Sequence, residues 1–131
     1  MKKLLLASAI FVLTTVGAYA DGPPKFFKDT YPEHALKSAM AARAVLGGKG
    51  AKLDAKTREL ISLAVAAQIP CMYCVYGHTK NARANGATEA EIREAVAAAA
   101  AVRQWSTVLN GMAYDFEAFK SEVDNMYAAK K

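Results

Sequence analysis

At 131 residues, 53% hydrophobic and 22% charged, with a formal net charge of +5, the chain is too apolar to be a disordered tail. Its basic residues are scattered, with no run able to track a phosphate backbone, which excludes a nucleic-acid role. A chain of this size makes one domain with a modest core, and an oligomer readily completes such a core.

Residues 1–20 read as a secretory signal peptide. Lys2 and Lys3 give a positive start, Leu4 to Val16 is an apolar run broken only by Ser8, Thr14 and Thr15, and Ala18-Tyr19-Ala20 supplies the small residues of a cleavage site before Asp21. The run is about 13 residues long, short of the roughly 20 that a membrane span needs. The mature chain is then 21–131, with no membrane anchor after cleavage and a periplasmic or secreted location. Loss of Lys2 and Lys3 lowers the formal charge from +5 to +3.

Residues 21–30 read as an irregular arm broken by Gly22, Pro23 and Pro24, with Phe26 and Phe27 laid on the body of the protein. The first helix is expected over 31–46, with Thr30 as cap, Glu33 completing a capping box, and Gly47-Gly48 as the stop. His34, near its start, reads as a surface residue. Asp54 caps a second helix over about 55–68. Leu60, Leu63, Ala64 and Ala67 form one apolar face, and Ile61, Val65 and Ala66 cover much of the rest, so this helix is expected to be central. Pro70 breaks the chain before a third helix, from Cys71 or Met72 to Asn85, which Gly86 ends. Thr88-Glu89-Ala90-Glu91 is a capping box for a long fourth helix that reaches about Val108. A last helix over about 112–128 carries an aromatic stripe that includes Tyr114, Phe116 and Phe119. No strand pattern competes, so the expected fold is all-α, about five helices after the signal peptide.

The chemistry concentrates in Pro70-Cys71-Met72-Tyr73-Cys74-Val75-Tyr76-Gly77-His78. Cys71 and Cys74 are the protein's two cysteines, and at helical spacing they share a face with His78. A C-x2-C pair is too close to staple distant elements, so it stabilises little by loop closure. Free N–H groups at a helix start favour a thiolate, which is the reactive form of a thiol. His78 is placed to take a proton from Cys74. Glu59, twelve positions before Cys71, sits at the edge of an apolar stretch and is placed either to orient His78 or to pair with Arg58 in solvent. Structural zinc is disfavoured, because only two cysteines and two histidines are present, His34 being distant. No metal and no cofactor is expected.

Glu59, eleven intervening residues, then Cys71-x2-Cys74-x3-His78 resembles the catalytic signature of the alkyl hydroperoxidase D-like proteins of the carboxymuconolactone decarboxylase superfamily. Asn81-Ala82-x2-Asn85-Gly86-Ala87-Thr88-x2-Glu91-Ile92 is also similar to that family, and the resemblance covers roughly Leu53 to Asn110. It implies an all-helical fold assembled as a trimer or hexamer. It also implies thiol-dependent reduction of hydroperoxides, or disulfide exchange with a partner, with Cys74 as reactive thiol, Cys71 closing the disulfide, and Glu59 and His78 as proton relay. The cysteine pair places the chain with the redox branch rather than the decarboxylases. One departure is Tyr73, where some members carry histidine; a tyrosine accepts protons poorly near neutral pH. The other is export, which changes the electron donor available.

The expected function is therefore an antioxidant thiol peroxidase that uses an unidentified dithiol or protein electron donor. Two alternatives stand beside it: an exported thiol–disulfide exchange protein, and a non-enzymatic small-molecule-binding or assembly protein.

Overall fold

The computed structural model describes residues 22–128; the expected signal peptide and its cleavage point lie outside them. Every regular element among the described residues is an α-helix: α1 (Lys25–Thr30), α2 (Glu33–Leu46), α3 (Ala55–Gln68), α4 (Met72–Ala84), α5 (Glu89–Gly111) and α6 (Phe116–Ala128). The chain divides into two compact units, one ending at Gly50 and one beginning at Ala51.

In the first unit, the stretch expected to be an irregular arm contains α1. Pro24 precedes the helix, where its missing N–H costs nothing. The Thr30 hydroxyl donates back to the Phe26 carbonyl at 2.6 Å and so closes α1. Thr30 is thus spent on the end of one helix and does not cap the next. α2 starts behind Pro32 with no side-chain cap. The Phe26 and Phe27 rings contact each other at a tilt of 41° with centroids 4.3 Å apart, and Phe26 is exposed.

The second unit is organised around α3. The Asp54 carboxylate accepts from the Thr57 N–H at 2.9 Å and starts the helix as expected. Within this unit α3 packs on both α4 and α5. Leu63, Ala82 and Ile92, one from each of these helices, are buried together against Leu60, Val75 and Ala87. The expectation of a central helix holds, but α3 is not covered all round: Ile61 and Val65 are about half exposed.

Two polar clamps join α3 to α5. At the start of α3, Lys56 Nζ donates to Glu91 Oε1 at 2.7 Å. At its end, Arg103 Nε donates to Gln68 Oε1 at 2.7 Å, Arg103 Nη2 donates to the Gln68 carbonyl at 3.2 Å, and Gln68 Nε2 donates to the Ala99 carbonyl. Lys56–Glu91 and Gln68–Arg103 are both separated by 35 residues. The two helices therefore run parallel in one register over about 18 Å, twelve residues of helical rise.

Glu91 serves twice. Its Oε2 accepts from the Thr88 N–H at 2.7 Å and the Thr88 hydroxyl at 3.0 Å, while its N–H donates to Thr88 Oγ1, completing the expected capping box. α5 runs through Asn110 to Gly111, beyond the expected end near Val108, because neither residue breaks the hydrogen-bond ladder. Ala113 then turns the chain at φ 48°. α6 begins at Phe116 rather than 112, where Asp115 Oδ1 accepts from the Ala118 N–H at 2.7 Å. Among the described residues no helix is long and apolar enough to cross a membrane.

The hydrogen bond from Lys56, and then those from Thr88, hold the Glu91 carboxyl down at about 2, against an ordinary value of 4.5. A depressed folded-state value means that the stabilisation is fully present above about pH 4.5 and is lost as pH falls toward 2. Thermal unfolding of the wild type and of Glu91→Gln, followed by circular dichroism, should show a Tm gap at neutral pH that narrows progressively below pH 4.5. A gap unchanged down to pH 2 would contradict the assignment.

Candidate active site

The site lies where α3 turns into α4. The Ile69 N–H donates to the Val65 carbonyl at 3.1 Å, and the Cys71 N–H donates to the Ala66 carbonyl at 3.0 Å. Cys71 is thereby tied to the end of α3 while acting as the cap of α4. Its Sγ accepts from the Cys74 N–H at 3.2 Å, and its carbonyl accepts from the Val75 N–H at 2.9 Å. A sulfur thus takes the role that serine or aspartate fills at most helix starts.

Cys71 and Cys74 are joined as a disulfide with Cα atoms 5.3 Å apart. Both are half-buried, and the residues around them are open: Met72, Tyr73 and Tyr76 are 75%, 82% and 69% exposed. The sulfurs are therefore held at a surface rather than in a core. Tyr73, at the position of the noted departure, projects its ring to solvent.

His78 and Glu59 meet across the α3–α4 interface, His78 Nδ1 to Glu59 Oε2 at 2.7 Å. Each precedes a buried residue by one helical turn, Leu63 on α3 and Ala82 on α4, so burial of those two aims the polar pair inward. The side chains are 21% and 20% exposed. Such a bond is shielded enough to fix the ring and open enough to exchange protons with solvent. With Glu59 on Nδ1, the opposite ring nitrogen, Nε2, is left for proton transfer.

All four residues singled out from the sequence thus lie on one helix pair: Glu59 on α3, Cys71 at the cap of α4, and Cys74 and His78 on its first two turns. Glu59 pairs with His78, which settles the alternative of a solvent-facing partner for Arg58. His34 is exposed on α2. Sequence reading missed the supports. Arg103 and Gln68, which lock the end of α3 two residues before Pro70, are separated by 35 residues and carry no local signal. Gly77, inside α4, was visible as an isolated glycine in a helical pattern, which a helix tolerates at a cost of about 1 kcal/mol relative to alanine.

Comparison with known proteins adds two findings. Residues 34–115, more than half the chain, match the carboxymuconolactone decarboxylase family. The chain is also 44% identical over 64 residues to a Paracoccus denitrificans protein described as uncharacterized protein 4 in cox locus. That alignment covers 49% of this chain and 57% of the relative.

A loop this short closes cheaply, so the disulfide should contribute no more than about 2 kcal/mol to stability. Reduction should leave the helical circular dichroism spectrum intact and lower Tm by no more than about 10 °C. Collapse of the helical signal on reduction would make the bond a structural staple instead.

Proposed function

This chain belongs to the carboxymuconolactone decarboxylase family, and from that premise we propose that it is a thiol-dependent peroxidase of the alkyl hydroperoxidase D-like, redox-active branch. The observation that carries this reading is the 2.7 Å Glu59–His78 bond on the same helix pair as the Cys71–Cys74 disulfide. A base already oriented by a carboxylate, one turn from a thiol at a helix start, is the arrangement that activates a sulfur nucleophile.

In the reduced enzyme His78 takes the Cys74 proton, and Glu59 stabilises the imidazolium. The Cys74 thiolate attacks the terminal oxygen of a hydroperoxide, and the O–O bond breaks. The leaving alkoxide takes the proton from His78 and departs as an alcohol, leaving a sulfenic acid on Cys74. Cys71 sulfur then attacks Cys74 sulfur. The hydroxyl leaves with the Cys71 proton as water, and the disulfide closes. An external dithiol, itself oxidised to a disulfide, restores both thiols. The amino-terminal segment supports a periplasmic or secreted setting, where that donor differs from cytosolic ones.

The proposal includes a homo-oligomer, a trimer or hexamer. In its support, α6 packs on none of α3–α5 and buries no residue, while Trp105, Met112, Phe116 and Met126 are 60% to 77% exposed. Monomeric proteins rarely leave such apolar patches to water. A second reading, thiol–disulfide exchange with a protein partner and no peroxide step, is favoured by the exposed Met72, Tyr73 and Tyr76 around the sulfurs.

Steady-state turnover of hydroperoxides with a dithiol donor decides between them. Cys74→Ser should abolish peroxide reduction, Cys71→Ser should stop the cycle at a trapped sulfenic acid, and His78→Ala or Glu59→Gln should slow it by about 10²-fold. Full turnover in His78→Ala would sink the proton relay. Disulfide exchange without any peroxide consumption would leave the second reading in place.

A further inference from the structure

Gly77 sits in the interior of α4, where glycine disfavours a helix more than any residue except proline. Neither usual reason for a glycine applies. Its backbone is not in the left-handed region, which the described glycines enter only at Gly22 and Gly86. A Cβ placed on it would meet nothing within 4 Å apart from its chain neighbours and its own helix backbone, so packing within the chain does not demand a small residue. Its position is distinctive: three residues after Cys74, one before His78, and four after Tyr73, which is 82% exposed. On a helix, residues three and four apart are surface neighbours. The missing side chain therefore leaves open ground beside Cys74.

We propose that Gly77 is a specificity-determining residue, the clearance through which Cys74 meets reactants that carry a bulky organic group. The inference deepens the reading of Cys74 as the reacting sulfur and rests on it. In the oxidative half, a hydroperoxide brings its alkyl group to the Cys74 thiolate. In the reductive half, the Cys71 cap assigns the same sulfur. A thiolate of an external dithiol attacks Cys74 Sγ, the S–S bond breaks, and the electron pair leaves on Cys71 Sγ, which the Cys74 N–H at 3.2 Å holds as a thiolate. The second thiol of that dithiol then displaces Cys74 from the mixed disulfide, and the donor leaves as its own disulfide. Both halves bring a substituted reactant to one sulfur, from the side that Gly77 keeps clear.

The test uses the thiol alone. In a Cys71→Ser background, Cys74 is the single cysteine. Its alkylation rates with iodoacetamide, a small reagent, and with a maleimide bearing a polycyclic aromatic group are compared with and without Gly77→Leu. The bulky-to-small rate ratio should fall roughly tenfold, the scale on which a few methylenes change access to a site. Ala84→Leu, two turns along the same exposed side of α4, should leave that ratio where it was. Gly77→Ala should raise Tm, which shows that the glycine is not kept for the fold. A ratio unchanged in Gly77→Leu, or two rates that fall in step because a second copy of the chain packs at this point, would overturn the proposal. Because alkylation needs no peroxide, a chain without peroxidase activity would sink the proposed function and leave this test intact.

Discussion

The geometry of the second unit depends on how α3 is held against α5. A helix of fourteen residues is short enough to slide or roll on an apolar face made largely of alanine, because dispersion contacts have no strong register of their own. Two polar clamps at a common separation of 35 residues remove that freedom. The Lys56–Glu91 pair fixes the end that carries Glu59 one turn later. The Gln68–Arg103 pair fixes the end from which the chain turns into Cys71. Each clamp is partly open to water, and a lone exposed ion pair stabilises little. Their contribution is orientation. Between them lie buried Leu63, Ala66, Ile92 and Ala99, which supply the apolar driving force.

With α3 held by the clamps, no long-range contact of the fold runs through the cysteine pair. The disulfide spans three positions and closes almost no chain, so neither its making nor its breaking reorganises distant contacts. The N–H of Cys74 satisfies one orphan donor of the helix start through the Cys71 sulfur. That sulfur is an acceptor in either oxidation state and a better one as a thiolate. Helix start and cysteine pair are thus one object. The Glu59–His78 bond crosses from the neighbouring helix, so it depends on how α3 packs on α4.

Local signals in the sequence translated directly. Asp54, Thr88 with Glu91, Pro70 and Gly86 each act within one helical turn, and each marks a boundary where the structure has one. The Cys71, Cys74 and His78 spacing likewise needs only helical geometry. Glu59 was within reach because it falls on the edge of the apolar stretch of its own helix. Where a residue had two possible partners, the reading failed. Thr30 closes α1 through Phe26 instead of opening α2, since a hydroxyl serves whichever carbonyl or amide its rotamer meets first. Glu91 was legible as a cap, but not as the partner of Lys56, which is distant in sequence. Asn110 and Gly111 looked like a stop, yet a helix runs on through such residues while its carbonyls keep finding donors.

The imbalance between core and surface bears on how such a site works. Among the described residues the buried hydrophobics are Leu63, Ala66, Ala82, Ile92 and Ala99, three of them alanines. Alanine side chains bury little area, so they permit close helix approach at the cost of driving force. Much larger side chains, such as Trp105, Met112 and Phe116, remain outside. A second copy that covered those side chains would supply the missing burial at the carboxyl end of α5, the end at which Arg103 holds Gln68 and the chain turns into Cys71. Burial by a second copy and access to the sulfurs would then be governed at one and the same end of the unit, because Arg103 and Gln68 bring the carboxyl end of α5 to the α3–α4 turn.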